Sequence, residues 1–160
     1  MGELPRAAAV LVDVFVPGSA VGQGSVISKV TKTGAVLTHH PESVKEYRLR
    51  LVQAITQVGT QREQRTWSGA AAVQVTHWVS RPRSHYRQGR FAHLLRPSAP
   101  VWPVTRGADL DKVCRLVNDA LTDAGVWRDD AQCVSLVATR EFAPEGRGLS
   151  GLRVLVLQVL

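Results

Sequence analysis

Two pairs of aspartates are the residues of this chain best suited to chemistry. Asp109 and Asp111 are separated by one residue, and Asp129 and Asp130 follow as neighbours further along the chain. Carboxylates gathered in one region repel one another unless a cation lies between them. Mg²⁺ takes oxygen ligands and bridges carboxylates to phosphates. The pattern is therefore typical of a metal-dependent enzyme that acts on a phosphate-bearing substrate.

The rest of the chain is strongly basic. The formal net charge is +7, and arginine outnumbers lysine by 16 to 4. Between residues 64 and 108 there is no acid, whereas this stretch contains seven arginines: Arg65, Arg81, Arg83, Arg87, Arg90, Arg96 and Arg106. Arginine offers a planar fork that matches phosphate geometry. A basic segment beside a cluster of acids predicts a polyanion such as a nucleic acid as the partner.

Composition indicates one domain that covers residues 1–160. With 44% hydrophobic residues the chain can build a core without disulfides. Cys114 and Cys133 form no CxxC pair, which argues against a zinc site or a disulfide framework and favours the cytoplasm. No apolar stretch is long enough to span a membrane. No nucleotide-binding or nucleophile signature is present, so we expect neither an organic cofactor nor covalent catalysis.

The spacing of apolar residues predicts an α+β fold with a mixed β-sheet and two main helices. Strands are expected at 10–16, 26–30, 35–38, 71–79, 133–142 and 152–160, with Val10, Val12, Val14 and Val16 on one face of the first. The first helix is predicted to begin at Pro41 and to end at Gly59, and the second to cover 109–124 and to stop at Gly125. One pair of acids therefore begins the second helix, and the other precedes the next strand.

A long segment without periodicity, residues 81–107, separates the central strand from the second helix. Its first part, Arg81-Pro82-Arg83-Ser84-His85-Tyr86-Arg87-Gln88-Gly89-Arg90, mixes cations with histidine and tyrosine. Such a segment can hold phosphates and stack on bases. The residues expected to contact DNA are Arg81, Arg83, His85, Arg87 and Arg90. The alternative is a mobile surface loop.

Each aspartate also has a structural interpretation. Asp109 and Asp111 could cap the free N–H groups in the first turn of the second helix, where the helix dipole favours negative charge. That role would satisfy one aspartate easily and two adequately. It does not explain Asp129 and Asp130, which stand just before a strand. A metal site and a set of caps therefore both stay open at this point.

The acidic region resembles the RusA family of Holliday-junction endodeoxyribonucleases. The likeness is carried by Asp109-Leu110-Asp111-Lys112 and by Asn118-Asp119-Ala120-Leu121-Thr122-Asp123-Ala124-Gly125-Val126-Trp127-Arg128-Asp129-Asp130-Ala131-Gln132-Cys133-Val134. The family pattern is a D-x-D, a helix that contains D-A-L, a short turn, and D-D-x-x-V leading into a strand. Arg81-Pro82-Arg83-Ser84-His85-Tyr86 is similar to the family's basic segment after its central strand. The likeness covers about 78–142 and is weaker before it.

The resemblance implies a homodimer that binds branched DNA and resolves four-way junctions by paired symmetric nicks, with Mg²⁺ or, as a substitute, Mn²⁺. It implies a role in recombination and repair in the cytosol of a bacterium or a phage-infected host. The acids that it assigns to catalysis and metal binding are Asp109, Asp111 and Asp130, with Asp129 beside them. The family's catalytic lysine falls on Arg115, while Lys112 directly follows Asp111, so either cation could serve. The alternative is a non-catalytic DNA- or RNA-binding protein with structural aspartates.

Overall fold

The computed structural model describes residues 7–24, 27–33, 36–39, 41–61, 66–104, 107–144 and 150–159. Within them the chain forms six strands and two α-helices. In chain order these are β1 (Ala7–Pro17), β2 (Ile27–Val30), β3 (Val36–His39), α1 (Glu42–Gln61), β4 (Ala71–Val79), α2 (Leu110–Asp123), β5 (Cys133–Phe142) and β6 (Gly151–Val159). Short 3₁₀ turns occur at Arg83–His85, Gly89–Phe91 and Asp130–Gln132.

Four of the strands form one mixed sheet in the order β1, β6, β4, β5. β6 pairs antiparallel with both β1 and β4, whereas β4 and β5 run parallel, with His77 opposite Arg140. Parallel neighbours need a crossover connection, and here α2 supplies it between β4 and β5. β2 and β3 form a separate antiparallel pair. The predicted single-domain α+β fold with a mixed sheet and two main helices is confirmed.

The core lies between the helices and the sheet. α1 packs on β1 and on α2. Apolar residues spaced three or four apart on both helices meet alternate residues of the strands. The buried positions that make up most of this core are Val44, Tyr47, Leu51 and Ile55 of α1, Val113, Leu116, Val117, Ala120 and Leu121 of α2, and Val73, Val75, Val154 and Val156 of the sheet. Burial of this face fixes α2 with its polar side outward.

Most predicted elements agree with the structure to within a residue or two, and two details were wrong. Val10 was expected on the same face of β1 as Val12, Val14 and Val16, which are buried, but Val10 is 44% exposed and Leu11 is buried, because the pairing with β6 shifts register on both sides of Val10. Gly59 does not end α1, which continues to Gln61. Predicted strand positions 26, 35 and 160 lie outside the described residues. No described helix has the length and apolar character to cross a membrane.

Candidate functional site

Asp109 stands at the start of α2 but does not cap it. It occupies the N-cap position, yet its side chain makes no capping hydrogen bond. Instead Lys112 Nζ donates to Asp109 Oδ2 at 2.6 Å. That hydrogen bond, followed by the charges of Lys112 and Arg140, holds the pKa of Asp109 below its usual value. The capping alternative is therefore wrong for Asp109, which is an ionised carboxylate facing solvent beside a cation.

Asp111 and Arg115 extend from the first turns of α2. Both side chains are exposed, and within the described part of the chain neither has a hydrogen bond or an ion pair. Residues four apart lie on the same face of a helix, so Arg115 follows Asp111 one turn further along. Of the two cations suggested by the sequence, Lys112 is therefore already engaged by an acid, and Arg115 is not.

The second acidic pair contains one aspartate that does act as a cap. Asp129 Oδ1 accepts the Ala131 N–H at 2.8 Å at the start of the turn Asp130–Gln132. In return, Gln132 Oε1 accepts the N–H groups of Arg128 and Asp129 at 2.9 Å and 3.3 Å. This reciprocal arrangement is a capping box, in which each side chain satisfies a free backbone donor. The sequence suggested a catalytic place for Asp129, and the structure gives it a structural contact.

Asp130, in contrast, is left available by the fold. Its side chain is exposed, and among the described residues its carboxylate has no hydrogen bond or ion pair. The turn that presents it is anchored, since Gln132 Nε2 donates to the carbonyls of Trp67 at 3.0 Å and Gly69 at 2.9 Å. Trp127, three residues before Asp130, is only 1% exposed and packs in the core. Asp130 is therefore a free carboxylate on a firmly positioned support.

The two acidic regions are neighbours in the fold. α2 packs against the turn Asp130–Gln132 and against β5. Cys114 is buried on α2, and its pKa is raised first by burial and then by the charges of Asp111 and Cys133. Burial is also the main cause of the raised pKa of Cys133, with a further contribution from the charge of Asp130. Asp111 therefore acts on the pKa of Cys114, and Asp130 on the pKa of Cys133.

The acids lie on adjoining elements and do not form a closed metal cage in the part of the chain that the structure describes. Across the described residues, no three His, Cys, Asp or Glu side chains are grouped so as to hold one metal ion. Asp109 is bound to Lys112, whereas Asp111 and Asp130 are unengaged. Carboxylate oxygens suit a hard cation, and Mg²⁺ commonly uses one or two carboxylates, several waters and substrate phosphates. The donor chemistry therefore fits Mg²⁺ better than a metal that requires a complete set of protein ligands.

The loop that leads into α2 is held from below by β4 and β5. Arg140 Nη2 donates to the carbonyl of Ala108, directly before Asp109. Gly107 has φ +87°, and a Cβ there would lie 2.9 Å from His77 Cε1 and 3.2 Å from Val79 Cγ2. The position therefore requires glycine both for its backbone conformation and for space. Neither Arg140 nor His77 was assigned to the site from the sequence, because single residues within strands carry no local signal of this contact.

A second loop, the one around Gln23, is hydrogen-bonded to α2. The Gln23 N–H donates to the carbonyl of Lys112 at 3.0 Å, and Gln23 Nε2 donates to Asp119 Oδ2 at 2.5 Å. Arg48 forms ion pairs with Asp119 at 3.4 Å and with Asp123 at 2.7 Å. The hydrogen-bonded helix role expected for Asp119 is therefore what the structure shows. These contacts join the loop to α1 and α2.

Several arginines of residues 81–104, the arginine loop, hold that loop together. Arg81 Nη1 donates to the carbonyl of Pro100 at 2.9 Å, and its guanidinium lies 3.8 Å from the centre of the Phe142 ring. Arg96 Nε donates to the carbonyl of Tyr86 at 2.9 Å. Backbone pairing of Tyr86 with Leu95 closes the loop. The segment is thus joined by hydrogen bonds and backbone pairing of its own.

Other cations of the arginine loop face solvent. Arg83, Arg87 and Arg90 are exposed, and Arg83 and Arg87 line a cavity of about 580 Å³. His85 is half-buried and packs edge-on against Phe142, with ring centres 5.6 Å apart. Of the five residues expected to contact DNA, the structure presents three to solvent and packs Arg81 and His85 against β5.

Comparison with known proteins gave one family. A family model described as endodeoxyribonuclease RusA matches residues 17–149 of the chain. A search among curated proteins gave no match. The matched span includes both acidic pairs, the arginine loop and the loop around Gln23. The family match therefore covers every part of the site described above.

Proposed function

The chain belongs to the RusA family of endodeoxyribonucleases, and from this premise we propose that it resolves four-way DNA junctions by paired symmetric nicks that depend on Mg²⁺. Membership itself gives a nuclease that acts on Holliday-junction DNA in recombination. The observation that carries the finer proposal is the pair of exposed, unengaged carboxylates on Asp111 and Asp130, presented by adjoining elements. We further propose that the protein works in the cytosol.

The proposed roles of the acids follow from what each carboxylate already contacts. Asp111 and Asp130 would bind the divalent cation, because neither has a competing partner among the described residues. Asp109, whose pKa is lowered while Lys112 is bound to it, would join them by exchanging Lys112 for the cation. When bound, such a cation polarises the phosphate and makes a coordinated water more acidic. Mn²⁺ accepts the same oxygen donors and should substitute.

Two cations remain candidates for stabilising the charge on the reacting phosphate. Lys112 is 2.6 Å from Asp109, so a phosphate that approaches this acid also approaches the ammonium group. Arg115 lies one turn beyond Asp111 and offers a planar fork with five donors. Asp129 is assigned a supporting role, because its carboxylate is used to shape the turn that presents Asp130.

We assign the grip on the DNA backbone to the arginine loop. Arg83, Arg87 and Arg90 are exposed and belong to a segment without acids, so no neighbouring carboxylate competes with DNA phosphates for them, although Arg87 Nε also donates to the carbonyl of Leu95 at 3.3 Å. Arg81 and His85 would act indirectly by fixing the loop against Phe142. The loop begins at the end of β4 and leads to α2, so DNA bound along it would run towards the free acids.

The proposed function is tested with a labelled four-way junction and a linear duplex of matched sequence. With Mg²⁺ we expect ligatable nicks in the junction at symmetric positions and little cutting of the duplex. Without divalent cation we expect binding but no cutting. Cleavage at the same rate in a chelator would contradict the metal assignment. Tight binding without cutting in Mg²⁺ and Mn²⁺ would favour the non-catalytic alternative.

Paired cutting requires two active sites related by symmetry. A junction becomes two duplexes only when two strands are nicked, and a two-fold dimer supplies two identical sites. In mixed dimers of wild-type and Asp130→Asn chains, we expect one nick to survive while complete resolution is lost. Light scattering should give a dimer at DNA-binding concentrations. A monomer, or full resolution by the mixed dimer, would contradict paired action.

A further inference from the structure

A cavity lies directly beside the loop that leads to Asp109. Its volume is about 520 Å³, within the range of roughly 300–1,000 Å³ that is common for small-ligand sites. It is formed where the end of β4 meets the loop after β1, the loop before α2 and the start of β6. Its polar walls are provided by Ser19, His77, Ser80, Gly107 and Ser150. None of these residues has a role in the metal chemistry proposed above.

The walls of the cavity offer hydrogen bonds without charge. Each serine hydroxyl both donates and accepts, and a neutral imidazole has one donor and one acceptor. Burial, followed by the charge of Arg140, lowers the pKa of His77 to about 4, so its ring is neutral at physiological pH. His77 is 2% exposed, and its buried Nδ1 has no hydrogen-bond partner. A buried polar atom without a partner is costly, and a ligand could provide one.

The character of these walls favours a neutral ligand over a phosphate. No lysine or arginine is among the described residues that line the cavity. Arg140 and Arg50 lie close to these walls, but Arg140 already donates to the carbonyl of Ala108 and Arg50 to the carbonyl of Pro17. Nucleobases present donors and acceptors along one edge and carry no charge, which matches neutral hydroxyl and imidazole groups.

The cavity lies close to the acid at which the DNA strand would be cut. Gly107 forms part of its wall and stands two residues before Asp109. Bases at a branch point have lost part of their stacking, so removing one from the stack costs less there than in continuous duplex. A base that enters the cavity would therefore belong to a nucleotide near the scissile phosphate.

We propose that this cavity binds a nucleobase of the cut strand, unstacked beside the scissile phosphate, and so determines the nucleotides at which the enzyme cuts. The inference rests on the proposed junction cleavage at Asp109, Asp111 and Asp130. It adds a specificity site made of neutral residues, with His77 and the surrounding serines as its hydrogen-bonding groups.

The first experiment measures base unstacking without any cleavage. Junctions that contain 2-aminopurine at one position at a time around the cut site are bound by the wild-type protein in EDTA. We expect a severalfold rise in fluorescence at one position and little change at the others. No rise at any position would overturn the proposal. Because this measurement needs no metal, a rise without cleavage in Mg²⁺ would refute the proposed function and leave the base site standing.

The second experiment fills the cavity from its rim. Ser80 is exposed, so Ser80→Trp should fold, and Ser43→Trp in the exposed first turn of α1 is the matched control because Ser43 does not line the cavity. We expect Ser80→Trp to lose the fluorescence rise and to cut its preferred site about tenfold more slowly, the effect of losing good base contacts, with junction affinity retained. Identical behaviour of the two variants would overturn the proposal.

The third experiment separates a base from a phosphate as the occupant. Nucleotides flanking the cut are replaced singly by abasic nucleotides or by neutral methylphosphonate linkages. An abasic nucleotide at the position found by fluorescence should slow wild-type cleavage about tenfold and should have no further effect on Ser80→Trp. Sensitivity to a methylphosphonate combined with indifference to every abasic replacement would show that the cavity holds a phosphate and would overturn the base assignment.

Discussion

The two places where this chain puts a pair of aspartates at a helix start are built differently. At α2, Asp109 occupies the N-cap position but bonds to Lys112 instead of to the backbone. At the turn Asp130–Gln132, Asp129 occupies the equivalent position and does accept a backbone N–H. Each place then leaves its following acid, Asp111 or Asp130, without a partner among the described residues. One motif type therefore yields both caps and free carboxylates.

The difference shows that the role of an aspartate at the start of a helix depends on which donors reach its carboxylate. A lysine three residues after Asp109 reaches its carboxylate, whereas Asp129 is followed three residues later by Gln132, whose amide completes a capping box. The same division runs through the arginine loop, where Arg81 is used to hold the loop and Arg83 is left exposed. Groups that the fold leaves unused are the ones available to a substrate.

The largest effect expected from this comparison is loss of cleavage when a free or releasable acid is neutralised. Asp111→Asn, Asp130→Asn and Asp109→Asn should each slow junction cutting by about a thousandfold or more, because a lost metal ligand removes several kcal/mol of transition-state stabilisation. Junction affinity should be unchanged or higher, since negative charge near DNA is removed. Single-turnover kinetics measure the cleavage rate, and binding curves measure the junction affinity. Wild-type rates in all three variants would contradict the metal site.

The comparison is sharpened by the acid that acts as a cap. Asparagine caps as well as aspartate does, so Asp129→Asn should keep both the turn and cleavage to within about threefold, whereas Asp129→Ala should lower the free energy of unfolding by about 1 kcal/mol. Denaturant unfolding and cleavage rates of the two variants, beside Asp130→Asn, provide the measurement. If Asp129→Asn folds normally but fails to cut, Asp129 is a metal ligand and the division between the two acids is wrong.

Regular elements were predictable because each has a local cause. β4 and β5 were predicted at their observed bounds, since short runs of β-branched residues between turns identify strands. The stop of α2 was predictable from Gly125, which has φ +70°. The prediction for the face of Val10 was wrong because the register shift between β1 and β6 depends on both strands. The alternation of apolar residues in one strand does not reveal it.

The candidate acids were visible in the sequence, but their individual roles were not. The spacing of Asp109, Asp111 and Asp130 identified the family pattern, which the family match supports. Which acid caps, which pairs with a lysine and which stays free depends on side-chain contacts made after folding. Arg140 reaches Ala108 from a residue 32 positions away, so no local pattern could reveal it.

A smaller effect, on the salt dependence of DNA binding, is expected from changes in the arginine loop. Arg83→Ala should remove a phosphate contact and flatten the slope of log K against log salt by roughly one unit. Replacing both Arg81 and Arg83 should flatten it further only if Arg81 also reaches DNA; if Arg81 only holds the loop, the second change should weaken binding without changing the slope. Equilibrium binding at several salt concentrations provides the measurement. An unchanged slope for Arg83→Ala would mean that this side chain faces away from DNA.

The remaining prediction concerns His77, which is buried and makes no ion pair among the described residues. The pKa of His77 is lowered to about 4, first by burial and then by the charge of Arg140, while an unfolded histidine titrates near 6.5. Between these values the unfolded chain binds a proton that the folded chain does not. The contribution of the neutral His77 ring to the free energy of unfolding is therefore fully present above about pH 6.5 and is lost as the pH falls towards 4.

Between pH 7 and pH 5 this loss should amount to about 2 kcal/mol in the free energy of unfolding. His77→Asn removes the titration, so denaturant unfolding of the variant should depend less on pH over that interval, even if the variant is less stable at pH 7. His77 itself should add no pH dependence to junction binding between pH 6.5 and pH 8, because its ring is neutral throughout. Parallel stability profiles for the variant and the wild type would mean that the pKa of His77 is the same in the folded and unfolded chains, so the ring would gain a proton below about pH 6.5 and the wall of the cavity would be neutral only above that pH.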